Sequence, residues 1–306
     1  MIAFVFSGGG SRGAMEAGGV KALYERGIRP DILVGSSAGA MNAAFLAIDP
    51  SAAGVERLCG IWRDLRTRKV VPGTILSKVW RVVRGKPSIV AGDALRAFVE
   101  QHIPVGKQTF GTVSGVKLYI TAANLQTSTL YLYGEDKSAS IVDAVMASSA
   151  FPGVFPPVQI GGWQYVDGGL ILNVPISVAI DKGATEVYAL DVAYTGGTYG
   201  PAKDLLTVLF RVVSVALHQD LLAELKYATQ VPGVKVHHVI IRGVPEAGDF
   251  DFDHGEEMVD AGYDAVKRYL LSLPPGGLET YALPFPPAVE AAPPPPGAEV
   301  WTPPTR

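Results

Sequence analysis

Apolar residues along this chain fall into two kinds of run. Short unbroken ones, bounded by glycine, proline or polar clusters, read as buried strands: Ile2 to Phe6, Ile32 to Val34, and segments 117–123, 128–133, 187–192 and 236–241. One more short strand leads into Tyr165-Val166-Asp167. Between them lie stretches with helical spacing. After a glycine-rich turn, Val20, Leu23 and Tyr24 share one face, and Gly27 with Pro30 beyond it stops that helix. The alanine-rich stretch 38–48 reads as a buried helix, and further helices are expected at 53–67, 93–101, 140–148, 203–227 and 255–272. Asp253 is the expected N-cap of the last, with Glu256 three residues on. Two strand-turn-helix units in the first fifty residues predict an α/β fold in layers with a largely parallel sheet.

Composition adds size and limits partners. With 306 residues, 48% hydrophobic and 18% charged, the chain can bury a large core. One domain over 1–283 is expected, near the upper size for a single core. The proline-rich stretch 284–306 should be an extended tail. A net charge of −3 argues against a nucleic-acid footprint. Cys59 is the only cysteine, so neither an intrachain disulfide nor a thiolate metal cluster is expected. It shares a helical face with Val55, Leu58, Trp62 and Leu65, which places it in the core. No run of about 18 apolar residues and no leader pattern is visible, so a soluble, cytoplasmic protein is the expectation.

Segment 61–90, extended to 92 as a cap, stands apart. It carries Arg63, Arg66, Arg68, Lys69, Lys78, Arg81, Arg84 and Lys86 against a single acid, Asp64, with apolar residues between. It reads either as a solvated helical face over a core or as a cap that touches anionic membrane surfaces.

Two glycine-rich turns carry the candidate chemistry. Gly8-Gly9-Gly10-Ser11-Arg12-Gly13 follows a strand and opens a helix, matching G-x-G-x-x-G. A dinucleotide site would need an acid at the end of the second strand; here that strand runs into Gly35-Ser36-Ser37-Ala38-Gly39, and Asp31 lies at its wrong end. What remains is a set of backbone N–H groups at a helix N-terminus, suited to a phosphate or an oxyanion. Arg12 beside them would hold a lipid phosphate or make a surface ion pair. The second turn is G-x-S-x-G between a strand and an apolar helix, which presents Ser37 as a nucleophile and leaves Ser36 a structural hydroxyl.

Ser37 needs a base. The five histidines are His102, His218, His237, His238 and His254, of which His254, in a loop before the last helix, has the best functional claim. Asp167, followed by Gly168-Gly169, is the stronger candidate. A carboxylate with an ordinary pKa of about 3.9 is a poor base at neutral pH. Partial burial would raise that value. Asp249, Asp251 and Asp253 alternate like the start of a calcium loop, but His254 fills the glycine position and Asp260 the glutamate position, so no metal site is expected.

Taken in order, Gly8–Gly13, Gly35–Gly39 and Asp167–Gly169 resemble the patatin-like phospholipase family, whose signatures are G-G-G-x-R-G, G-x-S-x-G and a distant D-G-[GA]. "IVDAVMASSAFPGVFPPV", "YVDGGLILNVPISVA" and "DHGEEMVDAGYDAV" are similar to that family's stretches, so the resemblance covers about 1–272. It implies a three-layer α/β/α sandwich and a Ser-Asp dyad without histidine. On this chain Ser37 would be the nucleophile, Asp167 the general base, and the N–H groups of Gly8, Gly9 and Gly10 the oxyanion hole. The implied activity is hydrolysis of lipid acyl esters with no cofactor. Two alternatives stay open: an α/β-hydrolase triad of Ser37, Asp167 and His254, and an inactive lipid- or protein-binding module on the same fold.

Overall fold

The strand Ile2–Phe6 (β1) lies inside an eight-stranded sheet and alternates its side chains between two buried faces. Phe4 and Phe6 join one core; Ala3 and Val5 join the other. Burial on both sides explains why its sequence is an unbroken apolar run rather than an alternating one. A computed structural model describes residues 1–73, 80, 84–193, 201–202, 205–242 and 250–273.

Parallel pairings join β1 to Ile32–Gly35 (β2) and to Glu186–Asp191 (β7). They also join β2 to Lys117–Asn124 (β3) and β7 to Lys235–Ile240 (β8). The antiparallel members are Thr129–Tyr133 (β4), Val158–Ile160 (β5) and Trp163–Asp167 (β6), with β4 and β6 both on β3 and β5 on β6. Helices cover both faces, giving the expected α/β/α layers. One core holds Gly13–Glu25 (α1), Ala38–Ile48 (α2), Ala52–Asp64 (α3) and Thr67–Val70 (α4). Asp93–His102 (α5) and Ile141–Ser148 (α6) complete that side with the last helix. The other core holds Ile176–Asp181 (α7) and Leu205–Gln230 (α8). The last helix, Gly255–Ser272 (α9), packs on α1 where Gly18 and Gly262 each face the other helix's backbone, a contact any side chain would block.

Strand and helix positions follow the sequence pattern closely, whereas β5 and α7 are too short to have a readable period. One expectation is corrected. Asp253 does not cap α9: His254 occupies that position, and the Asp253 carboxylate instead accepts the N–H of Thr67 at 3.2 Å. Cys59 is buried, with its thiol pushed up to about 11 by burial, as a packing residue should be. Of the basic segment, 74–79 and 81–83 lie outside the described residues, as does the whole tail 284–306. Asp249, first of the alternating aspartates, and positions 203–204 of the predicted long helix lie outside them too.

Candidate active site

Strand register brings the two candidate residues together. Ile120 of β3 pairs with Gly35 and Tyr133, so β2 and β4 lie on opposite edges of β3. Ala122 pairs with Tyr131 and Asp167, so β4 and β6 are also on opposite edges. Hence β2 and β6 share one edge of β3, and because one is parallel and the other antiparallel, their C-terminal ends point at each other. Ser37 leaves the end of one and Asp167 is the end of the other. Two residues 130 apart in sequence thus meet, with Ser37 Oγ donating to Asp167 Oδ2 at 2.6 Å.

The serine is held in a strained turn. Ser37 has φ 54° and ψ −123°, outside the conformations a residue with a Cβ prefers, at a cost of about 1–3 kcal/mol. Its N–H donates to Ser148 Oγ at 2.9 Å, and Ser149 Oγ–H donates to its carbonyl at 3.4 Å, so the end of α6 fixes its backbone. Ser36 is fully buried and accepts from the Thr121 hydroxyl at 2.8 Å, the structural role read from sequence.

Asp167 is 2% exposed. Its Oδ1 accepts the Gly169 N–H at 2.8 Å, which leaves Oδ2 for the serine. Burial, only partly opposed by these two hydrogen bonds, raises the carboxyl to about 7. A carboxyl raised this far by burial, as the sequence reading expected, can accept a proton near neutrality.

The glycine loop approaches the same point. A Cβ on Gly8 would stand 2.5 Å from Asn173 Oδ1 and 3.0 Å from Ser37 Cβ, so only glycine fits there. Replacing Gly8 by alanine is expected to lower kcat about 10²-fold by displacing Ser37 or Asn173, with overall stability as the control measurement. The N–H of Gly8 is already taken, donating to Asn173 Oδ1 at 3.2 Å and to Asn173 O at 3.3 Å. The N–H groups of Gly9 and Gly10 have no partner among the described residues. Beneath the loop, fully buried Glu16 accepts the Ser7 N–H at 2.7 Å and Asn42 Nδ2–H at 2.7 Å, while Trp62 Nε1–H donates to Asn42 Oδ1 at 2.6 Å. Burial pushes the Glu16 carboxyl well above its ordinary range against these donors.

A family model for patatin-like phospholipases matches residues 4–180 of this chain. The chain belongs to the patatin-like phospholipase family. A putative patatin-like phospholipase domain-containing protein of Caenorhabditis elegans is 24% identical, over 87% of this chain and 25% of its own length. An uncharacterised NTE family protein of Mycobacterium tuberculosis is 30% identical, over 63% of this chain and 30% of its own. The chain thus spans under a third of the length of these relatives. Among solved structures, VipD from Legionella pneumophila aligns with a TM-score of 0.47 at 17% identity, over 88% of this chain and 66% of that one.

In this patatin-like chain no histidine is a partner of Ser37 or Asp167 among the described residues. His102 Nδ1 bonds Phe98 O, His237 bonds Tyr269 and Glu186, and His238 bonds Asp191. His254 lies 3.2 Å from Asp251 at the start of α9. His218 falls in α8. Arg12 ends a single turn of 3-10 helix after the loop, with its N–H on Gly9 O and its side chain half-buried. A groove of about 1010 Å³ between α2, α3 and α5, lined by Phe45, Leu58, Ile61 and Phe98, includes neither Ser37 nor Asp167. Sequence reasoning missed Asn173, Ser148 and Glu16. Asn173 and Glu16 are each a single polar residue in an apolar or small-residue stretch and Ser148 is one of a serine pair, weak signals that gain meaning only from burial.

Proposed function

We propose that this chain hydrolyses carboxylic esters of lipids through an acyl-Ser37 intermediate. One observation carries the reading: Ser37 Oγ lies 2.6 Å from a buried Asp167 whose carboxyl is raised to about 7. As Ser37 Oγ attacks the ester carbonyl, Asp167 Oδ2 takes its proton and then returns it to the departing alkoxide. Water attacks the acyl-serine next, giving its proton to Asp167, which passes it to Ser37 Oγ as the bond to the acyl carbon breaks and the carboxylic acid leaves. The negative oxygen of each tetrahedral intermediate is stabilised by the N–H groups of Gly9 and Gly10, each contributing roughly 3 kcal/mol. Gly8 joins them only by releasing Asn173. Family membership supports a lipid ester as substrate. Exposed Trp80, Arg84 and Lys86 support the reading of the basic segment as a contact with anionic lipid.

A fluorophosphonate ester tests the site directly, since it phosphonylates an activated serine. Peptide mass mapping is expected to find the adduct on Ser37. The labelling rate should rise with pH through a midpoint near 7, because only the deprotonated Asp167 can take the serine proton. An adduct at another residue, or equal rates at pH 5 and 9, would remove the case for this dyad.

A further inference from the structure

The crossover helix α8 runs from the C-terminal edge of the sheet, where Ser37 lies, back to the N-terminal edge, as parallel β7 and β8 require. Its second half is anchored. Leu221, Leu225 and Ala228 are buried, and Asp220 accepts the Asn173 N–H at 3.1 Å. Glu224 accepts the Ser177 N–H at 2.6 Å, and Asp181 accepts from the Tyr227 hydroxyl at 2.6 Å. Asn173 is the residue that holds Gly8, so Asp220 already stands level with the glycine loop. At 1.5 Å per residue, Val208 lies about 18 Å further along the helix, beyond the ends of the strands.

Three valines of this overhang are exposed. Val208, Val212 and Val215 are 44%, 60% and 64% exposed, and their spacing sets them in one stripe. Residues 205–219, LLTVLFRVVSVALHQ, contain no acid; Arg211 is their one fixed charge. A helix face turned to water normally carries charges of both signs.

One exposed aromatic group stands at the same edge of the sheet, and a second precedes a stretch that joins it. Trp163, 46% exposed, begins the strand that ends in Asp167 and sits beside the C-terminal end of β3, where Leu125 N–H donates to Gln164 O. Trp80, 55% exposed, has Arg84 against its ring. Arg84 and Lys86 lead into Ser88–Val90, which bond Gly153 and Val154, just past the Ala150 carbonyl that takes the Asp167 N–H. Aliphatic, tryptophan and basic side chains on one edge match the layers of an anionic lipid surface. Valines enter the acyl boundary, tryptophans lie at headgroup depth, and arginine or lysine meets phosphate.

We infer that Val208, Val212 and Val215 on the overhanging half of α8, with Trp163, Trp80, Arg84 and Lys86, dock the protein on an anionic lipid surface with the Ser37 edge of the sheet facing it. The inference rests on the lipid-ester reading only for what is then cleaved; docking itself is measured without turnover.

The test is sedimentation of the full chain with phosphatidylcholine vesicles, with and without phosphatidylglycerol, beside the variant Val208→Gln/Val212→Gln/Val215→Gln. Wild type should bind the mixed vesicles and several-fold less without phosphatidylglycerol. The variant should bind about tenfold less. Arg84→Glu/Lys86→Glu should remove the preference for phosphatidylglycerol. Turnover of water-soluble p-nitrophenyl butyrate by the valine variant should stay within about twofold of wild type, which shows that its fold and site are intact. Vesicle binding by the valine variant equal to wild type, or no binding by wild type to either vesicle, would overturn the inference. So would unchanged vesicle binding with a dimer that the valine substitutions dissociate, since the stripe would then belong to a second copy. Vesicle binding without any turnover would leave docking standing and remove the hydrolase reading.

Discussion

Replacing Ser37 by alanine is expected to lower kcat/KM on p-nitrophenyl butyrate by about 10⁴-fold or more, and Asp167→Ala by a similar factor, while His254→Ala stays within about twofold of wild type. The contrast follows from where the side chains are. Ser37 Oγ has one acidic partner at 2.6 Å, and His254 is beside Asp251 at the head of α9 instead. A Ser-Asp-His triad needs the imidazole within hydrogen-bond reach of the serine and the carboxylate behind it. Here the carboxylate occupies the imidazole's place. Losing only the proton acceptor should therefore cost nearly as much as losing the nucleophile, because neither does anything without the other. Steady-state rates of the three variants, with fluorophosphonate titration to count intact sites, decide the matter. A 10³-fold loss in His254→Ala would favour the triad and discard the dyad.

How much of this was legible beforehand depended on the range of the interaction that fixes each feature. Ile2 to Phe6 is local: a strand buried on both faces has to be apolar, and the glycine turns stand out in sequence even though close neighbours such as Asn173 beside Gly8 and the Phe6 carbonyl beside Gly39 are what require them. The elbow at Gly35–Gly39 could be placed because both of its neighbours in sequence have clear periods. The partnership of Ser37 with Asp167 is not local, since it depends on β2 and β6 sharing one edge of β3. From sequence, Asp167 with its two glycines is the stronger candidate for the base, and the family resemblance is what pairs it with Ser37. Asn173 and Glu16 were invisible for a related reason. A polar residue in an apolar stretch reads as noise until its burial and its donors are known. The cap of α9 was misread because Asp253 has an alternative donor, the Thr67 N–H, supplied by a helix 186 residues away.

Asp167→Asn should yield a protein that is nearly inactive and yet more stable than wild type at pH 8. The Asp167 carboxyl is raised from its ordinary 3.8 to about 7 by burial. Between those values the folded chain holds a proton that the unfolded chain has released, so stability falls as pH rises across this window and levels off above about 7. At pH 8 the buried charge costs the fold on the order of 3–4 kcal/mol relative to pH 4. Asparagine has the same shape and no charge. Its Oδ1 can accept the Gly169 N–H and its Nδ2 can donate to Ser37 Oγ, replacing both hydrogen bonds of the aspartate. Urea unfolding should accordingly give nearly equal stability for variant and wild type at pH 4, and an advantage for the variant that grows through pH 7. An advantage that does not change with pH, or none at all, would mean that burial does not oppose ionisation of Asp167, and the explanation of its basicity would go with it. The activity loss has the same origin. The environment that makes the ionised carboxylate costly to keep is the one that makes it take the proton from Ser37, so relieving the first effect must remove the second.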